Sequence, residues 1–247
     1  LSFFTLILAL MQPQIAREHL NTKNFSKEII IAVDVSYSMQ ARDLKPTRFE
    51  AAKVALKQII ALAPENRYAI VAFTTNAIPL TPPTSDSDIL SRVLDSLDVG
   101  NIITKGTSLL PVLSLSSKLL HGAEGEVILL SDGGDEKIFN TLYTYAKEKK
   151  LHLSMVALAS NSGAQLLDEY GAILKDKNNN MVITAFNRNI EALITQTDGK
   201  LVAYDDVESL ETILHRDKAL TLQKTQTQQE PLFAYFLFLT LLFYTFA

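Results

Sequence analysis

Polar side chains follow an apolar stretch near the start of the chain, and their residue types suit metal binding. Residues 29–33 form a continuous apolar run, and Asp34, Ser36 and Ser38 follow at alternate positions. A largely β-branched run of this kind predicts a strand buried on both faces, as in a parallel sheet covered by helices. Open α/β sheets place their sites at the carboxyl ends of strands. One carboxylate and two hydroxyls there offer hard oxygen ligands, which suit Mg²⁺ or Mn²⁺.

Two later loops carry residues of the same type. Thr107 follows Gly106, and Asp132 precedes Gly133 directly after a predicted strand at residues 126–130. Glycine permits tight backbone turns, which would bring both side chains inward. We therefore expect the three loops to meet at one edge of a sheet.

The three loops together predict an octahedral site for one divalent ion. The predicted direct ligands are the hydroxyls of Ser36, Ser38 and Thr107. Asp34 and Asp132 are predicted to act through ordered waters, supplying charge and orientation. One coordination position would stay open, and an ion with only neutral direct ligands would favour an external carboxylate.

Neighbouring residues offer alternatives to this site. Thr104 is a second candidate hydroxyl, but it lacks the glycine that precedes Thr107. Ser36 and Ser38 have a plainer interpretation as loop-capping residues. Four nearby residues are expected to be supporting groups, solvated charges or helix N-terminal charges: Thr74, Thr75, Asp135 and Glu136.

The composition limits the class of protein. The chain has 247 residues, 47% of them hydrophobic, which is enough for a large α/β domain. A net charge of −4 argues against a general nucleic-acid binder, which needs a basic face. There is no cysteine, and the 4 histidines are scattered, so neither a thiolate site nor a histidine-ligated zinc site is indicated.

Strand and helix patterns alternate along the chain. The predicted strands cover residues 29–33, 68–74, 126–130, 151–158 and 200–204, with a short edge strand at 77–80. The predicted helices cover residues 47–63, 86–97, 108–121, 138–149, 164–170, 187–197 and 207–218. A hairpin turn is predicted at residues 176–180. This rhythm predicts an α/β fold with a doubly wound, mostly parallel sheet and helices on both faces.

The two ends of the chain are strongly apolar. Residues 1–13 are predicted to be the end of a transmembrane helix, with a signal-peptide core as the competing interpretation. The uncharged residues 231–247 are predicted to be a second transmembrane helix, with a buried core helix as the alternative. Residues 219–230 form a predicted polar linker, which leaves residues 21–218 as the folded domain.

The spacing of the polar loops resembles a known site. Asp34-Val-Ser36-Tyr-Ser38, then Thr107, then Asp132-Gly133 resembles the metal-ion-dependent adhesion site of von Willebrand factor A (VWA) domains over residues 27–218. The resemblance implies a Rossmann-like VWA fold and a protein partner that supplies an Asp or Glu to the metal.

A second resemblance concerns residues 39–53, which look like the segment after this motif in bacterial Bat (aerotolerance) proteins. Tyr37 stands where that family usually has Gly. The resemblance implies a protein of the bacterial inner membrane with a periplasmic VWA domain. Implied partners are other Bat-type membrane proteins and a MoxR-type AAA+ ATPase system.

The sequence therefore predicts a non-enzymatic, membrane-anchored module for metal-dependent protein binding. One alternative is a metal-dependent phosphohydrolase of haloacid-dehalogenase type, but that family needs a second Asp where this chain has Ser36. The other is a structural membrane scaffold with an empty metal site.

Overall fold

The computed structural model describes residues 14–19, 27–97, 106–134, 136–167, 170–214 and 226–231. The strands in these ranges are β1 (Gln14–His19), β2 (Glu28–Asp34), β3 (Arg67–Phe73), β4 (Ala77–Pro79), β5 (Gly125–Ser131), β6 (Leu151–Ala157), β7 (Ala164–Gln165), β8 (Ile183–Thr184), β9 (Leu201–Ala203) and β10 (Gln226–Pro231). The helices are α1 (Arg48–Leu62), α2 (Ser87–Ser96), α3 (Leu110–Leu119), α4 (Asn140–Glu148), α5 (Ile190–Gln196) and α6 (Val207–Leu214). A 3₁₀ helix covers Tyr37–Gln40.

The chain divides into two compact units. One consists of residues 1–24 and 217–247, where β1 and β10 pair antiparallel, and the other is Phe25–Arg216. The transmembrane segments predicted at residues 1–13 and 231–247 lie outside the described residues, apart from Pro231. The described part of the predicted linker belongs to β10. No described helix has the length and apolar character needed to cross a bilayer.

A six-stranded sheet forms the centre of the larger unit, in the order β4-β3-β2-β5-β6-β9. Every neighbouring pair is parallel except β3 and β4, which are antiparallel. The predicted α/β fold with a mostly parallel sheet is therefore confirmed. β2 lies between β3 and β5, so the polar residues that end β2 and β5 are neighbours.

Both faces of the sheet are covered by helices. Along β2, Ile29, Ile31 and Val33 face one core, while Ile30 and Ala32 face the other. Helices α1, α2 and α6 pack on the first face, and α3, α4 and α5 on the second. Residues 29–33 of β2 are apolar at every position because both faces of the strand are buried.

The N-terminus of α1 is capped by the side chain of Thr47. The Thr47 hydroxyl accepts a hydrogen bond from the Glu50 N–H at 3.2 Å, which satisfies one of the unpaired donors of the first turn. The Arg48 N–H also donates to the carbonyl of Ala41, the residue that follows the 3₁₀ helix, and this bond ties the start of α1 to that helix. Arg48 is thereby fixed at the first position of the helix, beside the end of β2.

The helix predicted at residues 164–170 is wrong. Residues 164–165 form β7, which pairs antiparallel with β8, and Leu167 bridges to Ile173. The segment pairs with strands that follow later in the chain, and this pairing outweighs the local helix preference. The turn predicted at residues 176–180 is confirmed, since the Asp176 N–H donates to the Asn180 carbonyl at 2.8 Å. We call residues 164–184 the hairpin segment.

Candidate metal centre

The carboxyl ends of the parallel strands form one side of an open cleft of about 370 Å³. Four of the five predicted site residues line it: Ser36, Ser38, Thr107 and Asp132. The fifth, Asp34, is completely buried and lies outside the cleft lining. The fold therefore brings the three predicted loops together, with hydroxyls at the surface of the cleft and one carboxylate withdrawn from it.

Asp34 connects two of the loops. Its Oδ1 accepts the Ser36 N–H at 2.9 Å, and its Oδ2 accepts the Ser131 hydroxyl at 2.6 Å. The Ser131 oxygen in turn accepts the Gly133 N–H at 3.1 Å. Through these contacts Asp34 fixes the loop after β2 against the loop after β5. The Ser36 and Ser38 hydroxyl oxygens then lie 3.0 Å apart.

The Thr107 loop is held by backbone contacts and by close packing. The Ser108 N–H donates to the Thr74 carbonyl at 2.9 Å, which ties the loop to the end of β3. Gly134 adopts φ +64°, and a Cβ there would lie 3.1 Å from Thr107 Cβ and Cγ2. Only glycine fits this approach without displacing Thr107.

Glu136 caps the helix that follows Thr107. Its Oε1 accepts the Leu109 N–H at 2.9 Å and the Ser108 hydroxyl at 3.1 Å. This position near the start of α3 matches the expectation of a helix N-terminal charge. Asp135 and Thr104 lie outside the described residues.

Arg48 is a site residue that sequence reasoning missed. Its side chain is completely buried, and Nη1 donates to Asp132 Oδ2 at 2.8 Å. Nε and Nη2 donate to the two carboxylate oxygens of Asp43, each at 2.8 Å. One signal in the sequence could have found it: Arg48 shares helical spacing with the buried Ala52 and Ala55, so it lies on the apolar face of α1.

The carboxylates around Arg48 carry more charge than it can neutralise. Asp34, Asp43 and Asp132 all have nearly inaccessible side chains, and Arg48 forms ion pairs with Asp43 and Asp132. Burial, and after it the charge of Asp132, raises the pKa of Asp34 to about 7. An additional cation near Asp34 and Asp132 would offset this excess negative charge.

Asp43 behaves differently because it is fully paired. Burial alone would raise its pKa, but hydrogen bonds from Arg48 and Ser160, together with the Arg48 charge, lower it to about 2. The Ser160 N–H and hydroxyl both donate to Asp43 Oδ2 at 2.8 Å. Asp43 is therefore a stable anion that holds Arg48 in place.

The hairpin segment forms the other side of the cleft. It directly contacts the loops that carry the predicted ligands Ser36, Ser38, Thr107 and Asp132, which we call the metal loops. The Tyr37 hydroxyl donates to the Leu167 carbonyl at 2.6 Å. Arg48 Nη2 donates to the Thr184 carbonyl at 3.0 Å, and the Thr184 hydroxyl lies 3.3 Å from Asp132 Oδ2. Tyr37, where the sequence departs from the Bat pattern, therefore fixes the hairpin segment beside the predicted ligands.

The donor set fits a hard divalent cation. The lining includes the hydroxyls of Ser36, Ser38 and Thr107 and the carboxylate of Asp132, and oxygen donors of this kind suit Mg²⁺ or Mn²⁺. Across the described residues, no group of three or more His, Asp or Glu side chains is arranged to hold a metal. A site here would instead depend on Ser and Thr hydroxyls.

Comparison with known proteins agrees with the fold. The family model for the von Willebrand factor type A domain matches residues 29–134. BatB from Bacteroides thetaiotaomicron superposes with a TM-score of 0.68 at 24% identity, covering 77% of this chain and 98% of BatB. An aerotolerance-related membrane protein from Bacteroides fragilis NCTC 9343 superposes with a TM-score of 0.69 at 20% identity, covering 78% of this chain and 98% of that protein.

Two UPF0353 proteins of Mycolicibacterium paratuberculosis (strain ATCC BAA-968 / K-10) are similar in sequence. One is 28% identical over 155 residues, which is 57% of this chain and 47% of the relative. The other is 25% identical over 201 residues, which is 75% of this chain and 57% of the relative. The chain thus spans about half the length of the curated relatives it matches. Residues 29–134 are therefore similar to a von Willebrand factor type A domain, and the fold is similar to that of the two Bacteroides proteins.

Proposed function

We propose that this VWA domain binds a protein partner through a divalent metal ion held at a metal-ion-dependent adhesion site. One observation carries the proposal: three hydroxyls and Asp132 line a single open cleft beside a buried group of carboxylates with excess negative charge. A bound cation would offset this negative charge, and the open cleft leaves room for a partner side chain.

The ligands we propose are Ser36, Ser38 and Thr107 directly, with Asp34 and Asp132 acting through water. A bound Mg²⁺ or Mn²⁺ would supply positive charge and a coordination position for an Asp or Glu of the partner. Asp34 would orient the Ser36 loop through the contacts described above. Asp132 would be held in its rotamer by Arg48.

We propose binding rather than catalysis as the role of the site. Ser36 stands two residues after Asp34, where a haloacid-dehalogenase-type phosphatase would need a second carboxylate. Asp132 is held by Arg48 through a contact of 2.8 Å, which fixes the orientation of its carboxylate. These contacts favour a fixed electrostatic site over an acid–base pair.

The cellular setting we propose follows the two solved relatives, described as BatB and as an aerotolerance-related membrane protein. We place the chain in the bacterial inner membrane, with the VWA domain in the periplasm. Its partners would be other Bat-type membrane proteins, associated with a MoxR-type AAA+ ATPase system.

Thermal melting of the full chain in detergent micelles tests the metal site. Melting temperature is measured in EDTA and then with increasing Mg²⁺ or Mn²⁺. A ligand that binds only the native state adds stability in proportion to the logarithm of one plus the ratio of its concentration to Kd, about 2.7 kcal/mol at a hundredfold excess over Kd, so the melting temperature rises with the logarithm of the metal concentration. We expect this rise in the wild type and its loss in Ser36→Ala and Asp132→Ala.

Thr195→Ala serves as a matched control, because it also removes a hydroxyl but lies on the exposed surface of α5. This variant should keep the full metal response. A wild-type melting temperature that stays the same in EDTA and in Mg²⁺ or Mn²⁺ would contradict the proposed metal dependence.

A further inference from the structure

The cleft has two chemically different sides. The side formed by the metal loops is polar, as described above. The opposite side comes from the hairpin segment and includes three aliphatic side chains, Leu166, Leu174 and Val182, which we call the apolar wall. A ligand that reached the metal position with only a carboxylate would leave this wall in contact with water.

Backbone pairing within the hairpin segment places the three wall residues on one face. The Leu174 N–H donates to the Leu166 carbonyl at 2.8 Å, and the Val182 N–H donates to the Leu174 carbonyl at 2.9 Å. The Leu166 N–H donates to the Val182 carbonyl at 3.1 Å. Because side chains alternate across strands, the sequence neighbours of Val182 point away from the cleft. Ile183, next to Val182, is 60% exposed and absent from the cleft lining.

The wall is fixed relative to the metal loops. Tyr37 belongs to the loop of Ser36 and Ser38, and its hydroxyl donates to Leu167, next to Leu166. Arg48 contacts both Asp132 and the Thr184 carbonyl. A ligand at the metal position and an apolar group on the wall would therefore have a defined separation, which is the requirement for sequence-specific recognition.

Two lysines stand at the rim of the same cleft. Lys175 and Lys177 line it, and neither forms an ion pair within the part of the chain that the structure describes. Asp176 lies between them, but its Oδ1 accepts the N–H groups of Asn178 and Asn180, each at 2.8 Å. Its charge is thus engaged within the turn, while both ammonium groups can still pair with an anion.

From these observations we propose that the hairpin segment selects the partner sequence. The partner is a protein segment in which the metal-binding Asp or Glu has an aliphatic neighbour that packs on the apolar wall. A further acidic residue of the same segment pairs with Lys175 or Lys177. This inference rests on the proposed function, since it names the partner class of that same site.

Selection from random peptides tests the inference directly, because the peptides themselves serve as the probe. Short random peptides displayed on phage are bound to the immobilised full chain in Mg²⁺, and those released by EDTA are sequenced. We expect an Asp or Glu with Leu, Ile or Val within two residues, and a second acidic residue nearby.

Variants on the two faces of one strand then locate the recognition surface. Val182→Ser changes the apolar wall, and Ile183→Ser is its matched control on the opposite face. We expect Val182→Ser to weaken binding of a selected peptide about tenfold, equivalent to about 1.4 kcal/mol, and Ile183→Ser to leave it unchanged. Val182→Thr, which keeps the shape of the side chain, should give a smaller loss in the same direction.

The possible outcomes separate the inference from the proposed function. EDTA-released peptides with acidic but no aliphatic preference, or equal binding by the Val182 and Ile183 variants, would overturn selection by the hairpin segment and leave metal-dependent binding intact. If EDTA releases no bound peptide while the metal still raises the melting temperature, both partner binding at the metal and the inference are overturned.

Discussion

Two hollows of nearly equal volume lie at opposite ends of the central sheet. The cleft at the carboxyl ends measures about 370 Å³, and the hollow at the amino ends of β5 and β6 about 380 Å³. The second hollow also contains charged groups, including a contact of 2.9 Å between His152 and Glu124, but the Glu124 side chain is 64% exposed. Arg48 and Asp132, in contrast, are buried. The two hollows therefore differ in the burial of their charged groups and not in their volume.

The largest expected effect comes from removing the buried cation. Arg48→Met leaves Asp43 and Asp132 without their partner, and loss of one member of a buried ion pair costs roughly 3–5 kcal/mol. Urea denaturation of the full chain measures the change in the free energy of unfolding. Glu124→Gln is the control at the amino end, where an exposed pair contributes about 0–1 kcal/mol. Equal losses in both variants would remove the distinction between the two ends.

A second prediction concerns pH and uses Asp43. Its pKa falls from an ordinary value of 3.8 to about 2 in the folded protein, so ionised Asp43 stabilises the native state. By linkage this amounts to roughly 2 kcal/mol, fully present above about pH 4 and lost as the pH falls towards 2.

The variant Asp43→Asn lacks this contribution at every pH. We expect the free energy of unfolding to differ most between wild type and variant near neutral pH, and to converge as the pH falls from about 4 to 2. Urea denaturation at a series of pH values measures both. A gap that stays constant over this range would show that the Asp43 charge does not stabilise the fold.

The smallest expected effect on stability comes from replacing a glycine by alanine, at Gly134 beside the cleft or at Gly122 near the opposite end of the sheet. Gly134 and Gly122 both have left-handed φ angles, +64° and +73°, so alanine at either position costs about 1–2 kcal/mol. A Cβ at Gly134 would crowd Thr107, whereas one at Gly122 meets no atom within 4 Å.

Both variants strain the backbone, but only Gly134→Ala also crowds Thr107, so comparing them separates the two effects. Gly134→Ala should raise the Mg²⁺ concentration at which the melting temperature begins to increase, and Gly122→Ala should leave it unchanged. Titration of both variants checks this. An unchanged metal response in Gly134→Ala would mean that the position of Thr107 does not matter for the ion.

Much of the fold follows from local pattern. The apolar runs predicted the inner strands because these are buried on both faces, and the order of the strands places Asp34 and Asp132 side by side. The Arg48–Asp43 pairing is not visible in the same way, because surface and buried arginines look alike in sequence. The buried Ala52 and Ala55, at helical spacing from Arg48, indicate that the Arg48 side chain lies on the apolar face of α1.

The hairpin segment shows a different limit of sequence reasoning. Residues 164–167 have good helix formers, yet they pair with residues 173 and 182–184. Such pairing depends on contacts between residues far apart in the sequence, which local propensity does not describe. The turn at Asp176 was predictable, because Asp and Asn side chains bond their own backbone.

The two edge strands of the central sheet affect how readily the protein aggregates at high concentration. Its inner strands β2, β3, β5 and β6 each contain 7 residues, but the outermost strands, β4 and β9, contain 3 each. β4 also ends in Pro79, which has no N–H to donate. Short edge strands offer a neighbouring molecule few backbone groups with which to pair. They therefore protect the sheet against aggregation by edge-to-edge strand pairing.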